Sequence, residues 1–474
     1  MQRKACRLPV SRFTFDVSLF CIFGAMKKYL ILSAIAFTFN LSYAQTIVSR
    51  DPLIDSMVKE VSADSLKAYV AKMVSFGTRH TLSSTTDKKR GIGAAREWVV
   101  QKFNEYARQS GGRLSAYVDT TTLQPDGRRV NVPVNLGNSM AILKGTDPND
   151  NRVYMISGHL DSRVTDVMNA KADAPGANDD ASGVAAVMEC ARIMSKHSFP
   201  ATVIFVAFSG EEQGLLGSTY LADKAKKAGW NIDALLNNDI MGSNHSNETG
   251  LINNMTVRVF SEGLPGYELE KAASGIRSLG LENEGRPRQL ARYVKEVGER
   301  YVDDIDVMLV YRNDRFLRGG DHTPFVQRGY PAVRITETNE NFNHQHQDLR
   351  TEKGVVYGDL IEFMDFEYLR KNTAINLSCL ANLAKAPAVP EEVKVDVKNL
   401  TNSTYLYWKA PKMGKPKGYY VLMRETASPI WEKKFFTADT SLRLPYSKDN
   451  YFFAVQSVNE AGNESLPVVP AVGR

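Results

Sequence analysis

The feature that most restricts the fold is a run of short, continuous apolar segments between residues 153 and 239. "VYMIS" (153–157), "TVIFVAF" (202–208) and "IDALLNND" (232–239) alternate with helical stretches such as "GVAAVMECARIMSKH" and "STYLADKAKKAG". Strands too apolar to have a wet face, alternating with helices, predict an α/β domain with a mostly parallel central sheet and helices on both faces. Upstream, from residue 62 to about 107, apolar positions recur every three or four residues ("LKAYVAKMV", "AAREWVVQKFNEYA") and predict amphipathic helices. The charged, weakly periodic segment 263–320 reads as helices and loops decorating the sheet. A last helix, roughly Val356–Leu383, closes the domain.

A chain of 474 residues is too long for one ordinary core. Composition shifts at the Pro-rich "AKAPAVPEEV", and the rest alternates as short strands ("TYLYWKAP", "GYYVLMRE", "YFFAVQSVNEAGNES"). The organisation read from this is an upstream extension and leader over 1–44, an α/β domain over 45–386, and a β-sandwich over 387–474. The sandwich resembles a fibronectin type III domain, with Trp408 before Pro411 and Tyr451, Phe453 and Val455 alternating. It holds no His and no acid cluster, so its expected role is stability, spacing, or contact with a surface or partner.

Met26-Lys27-Lys28 followed by "YLILSAIAFTFNLSYA" has the charged start, short apolar run and small-residue end of a secretory signal peptide, with cleavage expected after Ala44. The apolar run is shorter than the roughly 20 residues of a spanning helix, so stable membrane insertion is not expected. Residues 1–44 carry six basic groups (Arg3, Lys4, Arg7, Arg12, Lys27, Lys28) and one acid (Asp16), so the formal charge of +6 falls to about +1 on processing. No basic run with interleaved aromatics points to nucleic acid. Cys190 and Cys379 survive in apolar, helix-like contexts and read as buried free thiols.

Acids collect where the predicted strands end. "VYMIS" runs into His159-Leu160-Asp161, "TVIFVAF" into Ser209-Gly210-Glu211-Glu212, and "ALLNN" into Asp239; Asp179 and Asp180 precede a helix. In open α/β sheets the loops at the carboxyl ends of the strands converge on one rim. Carboxylates gathered there repel unless a cation shares the site, and His plus carboxylate without Cys suits zinc in a catalytic shell.

The ordered strings His159-Leu160-Asp161-Ser162, Gly176-Ala177-Asn178-Asp179-Asp180-Ala181-Ser182-Gly183, Ser209-Gly210-Glu211-Glu212-Gln213-Gly214-Leu215-Leu216-Gly217-Ser218 and Asn238-Asp239 resemble the M28 family of metallopeptidases over roughly residues 55–385. The resemblance implies a zinc exopeptidase-like fold, two Zn²⁺ ions and peptide substrates. It implies that Asp179 bridges the ions, with His159 and Asp239 on one and Glu212 and a late His on the other. Asp161 would hold the His159 ring in its tautomer and Glu211 would be the general base. Of His322, His344 and His346, the register of a His four residues before Asp348 favours His344 as the late ligand. A Tyr often precedes that His in the family; Asn343 stands there instead.

The function implied is a secreted or periplasmic zinc aminopeptidase. A carboxypeptidase of the same family and a glutaminyl-cyclase-like aminoacyl transferase are the alternatives, and a ligand-free relative of the fold is a third class. N-terminal sequencing of exported protein should start at or near Gln45; a mature chain starting at Met1 would overturn the leader.

Overall fold

A computed structural model describes residues 45–264 and 266–473; the leader expected over 1–44 lies outside them. The described residues form one compact unit. Three helices come first, α1 (Pro52–Lys59), α2 (Ala63–Val74) and α3 (Ile92–Ala107). An eight-stranded sheet comes next. Its strands are β1 (Leu114–Leu123), β2 (Val134–Leu143), β3 (Arg152–His159), β4 (Thr202–Phe208), β5 (Asn231–Asn238), β6 (Thr256–Phe260), β7 (Asp306–Val310) and β8 (Ala332–Glu337), in spatial order β1-β2-β4-β3-β5-β8-β6-β7.

The parallel prediction holds for the four central strands and for the outer β6–β7 pair, and fails where β1, β2 and β6 join the sheet. β4, β3, β5 and β8 run parallel, whereas β1–β2, β2–β4 and β8–β6 are antiparallel, so the sheet is mixed. The central strands are the continuous apolar runs, which need cover on both faces. β1, "LSAYVDTTTL", largely alternates exposed with half-buried residues, as a half-wet edge strand does. Its polar threonines hide it from a reading that seeks apolar runs.

β4 shows how the sheet divides two cores. Val203, Phe205 and Ala207 point into a core shared with α2, α3, α4 (Ala181–Met194), α7 (Arg286–Tyr301) and α9 (Phe366–Lys385). Ile204, Val206 and Phe208 point to the other face, against α5 (Leu216–Ala228) and the short α8 (Thr323–Gln327). α4 is buried nearly all round, which accounts for a sequence whose only charged residues are Glu189 and Arg192, paired with each other. The last helix starts ten residues later than its periodicity suggested. Val355–Tyr357 pairs with Arg350–Glu352 as a small hairpin, and Asp365 caps α9 by accepting from the Tyr368 amide. The segment 263–320 holds α6 (Gly266–Leu279), α7 and also β7.

Beyond Ala386 two small sheets enclose a core of Val393, Leu406, Trp408, Val421, Phe435 and Val455. Their seam with the α/β part is polar and buried. Glu464 pairs with Arg300 and accepts from Asn382 at 3.1 Å; Arg424 reaches Glu284 at 2.5 Å, and Glu284 also holds Arg292 at 2.8 Å. Burial alone would raise the Glu464 carboxyl, but Arg300 and Lys434 outweigh it and hold it at about 2. Its stabilisation is therefore complete above the ordinary carboxyl value near 4.5 and is lost as pH falls toward 2. Glu464→Ala, which leaves Arg300 and buried Lys434 only the half-exposed Glu296 as an acidic partner, should lower the unfolding free energy by about 3 kcal/mol in a denaturant melt at neutral pH.

Candidate functional site

The parallel centre of the sheet brings the predicted residues to one rim. His159 ends β3 opposite Phe208 of β4, and Ser157 lies opposite Asn237 of β5, so the loops after these three strands emerge side by side. His159 Nε2 lies 3.0 Å from Asp179 Oδ1 and 3.8 Å from Asp239 Oδ1. His346 Nε2 lies 2.8 Å from Asp179 Oδ2 and 2.9 Å from Glu212 Oε1. Two groups able to hold a metal ion result, His159–Asp179–Asp239 and Asp179–Glu212–His346, and Asp179 belongs to both.

Each piece is pinned by a carboxylate accepting backbone N–H groups. Asp161 accepts from the amides of Glu211 (3.2 Å) and Glu212 (3.1 Å) and from the Thr81 hydroxyl (2.9 Å). Asp180 accepts from His159 N (2.9 Å), Ile240 N (3.3 Å) and Gly183 N (2.8 Å), the last as the N-cap of α4. Asp359 accepts from Asn178 N (2.8 Å) and Asp179 N (2.7 Å). The helix start presses so closely on β3 that a Cβ at Gly158 would meet Gly183 backbone at 2.6 Å. The guanidinium of fully buried Arg79 donates to the carbonyls of Leu160, Pro175 and Gly176 and joins the loops after β3 and before α4.

Two expectations need correction. His344 is not in the cluster: its ring stacks on Phe363 at 3.7 Å, and burial together with His245 lowers it to about 4. The chain turns back at Asn341, whose carbonyl accepts from His344 N and Gln345 N, and His346 adopts a left-handed φ of 54° that aims its ring at Asp179. Register counting from Asp348 could not see that turn. With His346 in place, its preceding residue is Gln345, whose amide donates to Asp179 Oδ2 at 3.3 Å. The second correction concerns Asp161. The His159 Nδ1 sits 3.0 Å from the Asp161 backbone carbonyl and 3.8 Å from its carboxylate, so the main chain fixes the ring while the carboxylate pins the Glu211–Glu212 turn. His322, the third histidine considered, is buried against the Asn313 carbonyl at 2.7 Å.

Charge balance tests whether a cation fits. Burial lowers His346, yet Glu212 and Asp179 outweigh it and raise it to about 10; His159 likewise ends well above its ordinary value through Asp179 and Asp239. Four carboxylates, Asp179, Glu211, Glu212 and Asp239, meet at one cleft with these two imidazoles, and burial with Glu212 and Asp239 pushes the Glu211 carboxyl up despite His159. Nitrogen and carboxylate donors with no thiol, in two groups sharing one acid, fit zinc.

Two spaces flank Asp179. One is a small recess with Ile240, His344, Leu360, Phe363 and Met364 among its walls. The other is a wider, open cleft onto which Glu211 faces. Most of the recess comes from residues 337–364.

Residues 138–353, which contain every residue of both groups, match the model of peptidase family M28. A probable zinc metalloprotease of Leptosphaeria maculans is 46% identical over 421 residues, covering 89% of this chain and 97% of its own. One from Pyricularia oryzae is 45% identical over 430 residues, covering 89% and 85%. Among solved structures, Legionella pneumophila LapA is similar in fold, with TM-score 0.51 at 19% identity over 73% of this chain and 79% of that one. His346→Asn, which tolerates the left-handed backbone, should lower the bound zinc found by elemental analysis, while His344→Ala should leave it unchanged. The opposite pattern would return the ligand role to His344.

Proposed function

The chain belongs to the M28 family of zinc metallopeptidases, and on that premise we propose that it is an aminopeptidase using two zinc ions to release N-terminal residues from peptides. The observation that carries the reading is the pair of ligand groups joined at Asp179. His159 and Asp239 would hold one ion, Glu212 and His346 the other. Zinc bound there supplies Lewis acidity and makes water a competent nucleophile at neutral pH.

The chain's own groups do the rest. Glu211 faces the cleft but belongs to neither ligand group, which suits it to take a proton from the attacking water and return it to the leaving amine. The Gln345 amide, shared by both spaces, offers a neutral donor beside the reacting carbonyl. The recess beside Asp179, with Ile240, Leu360, Phe363 and Met364 among its walls, offers an apolar contact for the side chain of the N-terminal residue. We read segment 1–44 as an export leader and the enzyme as secreted or periplasmic. The C-terminal sandwich, read as fibronectin type III-like, serves to brace or space the catalytic part.

Glu211→Gln should leave zinc content nearly unchanged while kcat falls by at least roughly 10²–10⁴-fold, with little change in KM. In the same assay, acetylating the amine of a pentapeptide should abolish cleavage, and amidating its far carboxyl end should not. The reverse dependence would make the enzyme a carboxypeptidase, and near-normal turnover of the Gln variant would remove Glu211 from the mechanism.

A further inference from the structure

The open cleft is lined by four arginines as well as by the metal-binding groups: Arg129, Arg163, Arg315 and Arg318. Two are committed. Arg163 donates to Glu212 at 2.8 Å and lies 2.6 Å from His346 Nδ1, and Arg315 pairs with Asp314 and Glu340. Arg129 spends one N–H on the Glu212 carbonyl at 2.6 Å and is otherwise exposed. Arg318 is exposed and, among the described residues, its side chain has no hydrogen bond or ion pair.

Arg318 sits at the tip of a loop built to stand out from the fold. At its base Asp314 is buried and held at 2.6 Å by Arg334, which lies under the rim. At its tip Leu317 is fully exposed with a left-handed φ of 57°, and Arg312 stacks over the exposed Phe316 ring at 4.0 Å. A firm base and an exposed cationic tip suit contact with something outside the chain.

The side of the site follows from Glu211. A group that returns a proton to the leaving nitrogen must face the leaving fragment, and Glu211 lines the arginine cleft and not the recess. When cations balance the acids of the two ligand groups, the surplus charge left along the cleft is that of the arginines. A guanidinium with open N–H donors is matched by a carboxylate, which it can grip through two parallel hydrogen bonds.

We propose that Arg318, with the unspent donors of Arg129, binds a carboxylate on the leaving fragment, either an acidic side chain next to the scissile bond or the free C-terminus of a short peptide. This rests on the aminopeptidase reading for the direction of cleavage only. The two sources separate in three dipeptides, Leu-Gln amide, Leu-Glu amide and Leu-Gln free acid, assayed with the zinc-loaded full chain. Each carboxylate-bearing peptide that the cleft recognises should exceed Leu-Gln amide by about tenfold in kcat/KM, the advantage shrinking as salt rises. Arg318→Ala should bring the Glu-to-Gln ratio to near one, and Arg318→Glu should turn the preference toward Leu-Lys amide.

A second readout needs no turnover. N-acetylated Leu-Glu amide or N-acetylated Leu-Gln free acid should bind more tightly than N-acetylated Leu-Gln amide by calorimetry, and Arg318→Ala should erase the difference. Equal kcat/KM for all three dipeptides, or a ratio unmoved by both Arg318 variants, would overturn the proposal. Should no free-amine dipeptide be cleaved, the aminopeptidase reading fails by itself, and the titration with blocked peptides decides: a preference for either carboxylate-bearing peptide that is lost in Arg318→Ala sustains the carboxylate site, and the absence of both preferences ends it.

Discussion

Everything at the rim depends on buried carboxylates that accept backbone N–H groups. Asp161, Asp180 and Asp359 carry none of the ligand atoms of the two groups, yet each grips the main chain that bears them. An ionised acid accepting two or three amide hydrogens forms charge-assisted bonds about twice as strong as neutral ones, which is enough to fix a loop that has no regular structure. The same arrangement crowds negative charge. Asp359 is buried beside Asp179, and burial pushes it up to about 7 even though the Asn178 and Asp179 amides pull it down. Buried Arg79 supplies part of the compensation by knitting the carbonyls around these acids. Rigidity and electrostatic cost thus come from the same atoms.

How much of this could be read in the chain depends on how local each signal is. The three central strands were legible because their apolar runs are continuous, and the strand-end placement of His159, Glu211, Glu212 and Asp239 came from that alone. β1 escaped because a half-wet strand with polar threonines lacks such a run, and β2, though mostly buried, has its apolar run broken by Asn135, Gly137, Asn138 and Ser139. Asp359 lies 180 residues from the Asp179 amide it holds, and Arg79 lies 81 from the Leu160 carbonyl. No spacing rule reaches across such separations. The choice between His344 and His346 turned on one backbone torsion, for which neighbouring residues gave no sign.

The C-terminal sandwich is a separate composition but not a loosely tethered one. Its seam uses ion pairs shielded from water, Glu464 with Arg300 and Arg424 with Glu284, where a mobile appendage would present a solvated face. Buried pairs of this kind contribute less to net stability than to the choice of one docking geometry, since any shift strands a charge. The sandwich reaches α7 and α9, which also pack under the central sheet. It therefore braces the scaffold from behind the rim.

Arg334 joins two parts of the molecule that would otherwise vary independently. Fully buried at the end of the sheet, it pairs with Asp239 at 3.1 Å on one side and Asp314 at 2.6 Å on the other. The base of the arginine-bearing loop is thus anchored to the same side chain that orients a metal-binding acid. Drift at the base would propagate into the reaction centre and be purged by selection, whereas Phe316, Leu317 and Arg318 touch nothing that the chemistry requires. Divergence among descendants of this enzyme should accordingly concentrate in those three positions, and new diets of peptide can be acquired there without rebuilding the hydrolytic machinery.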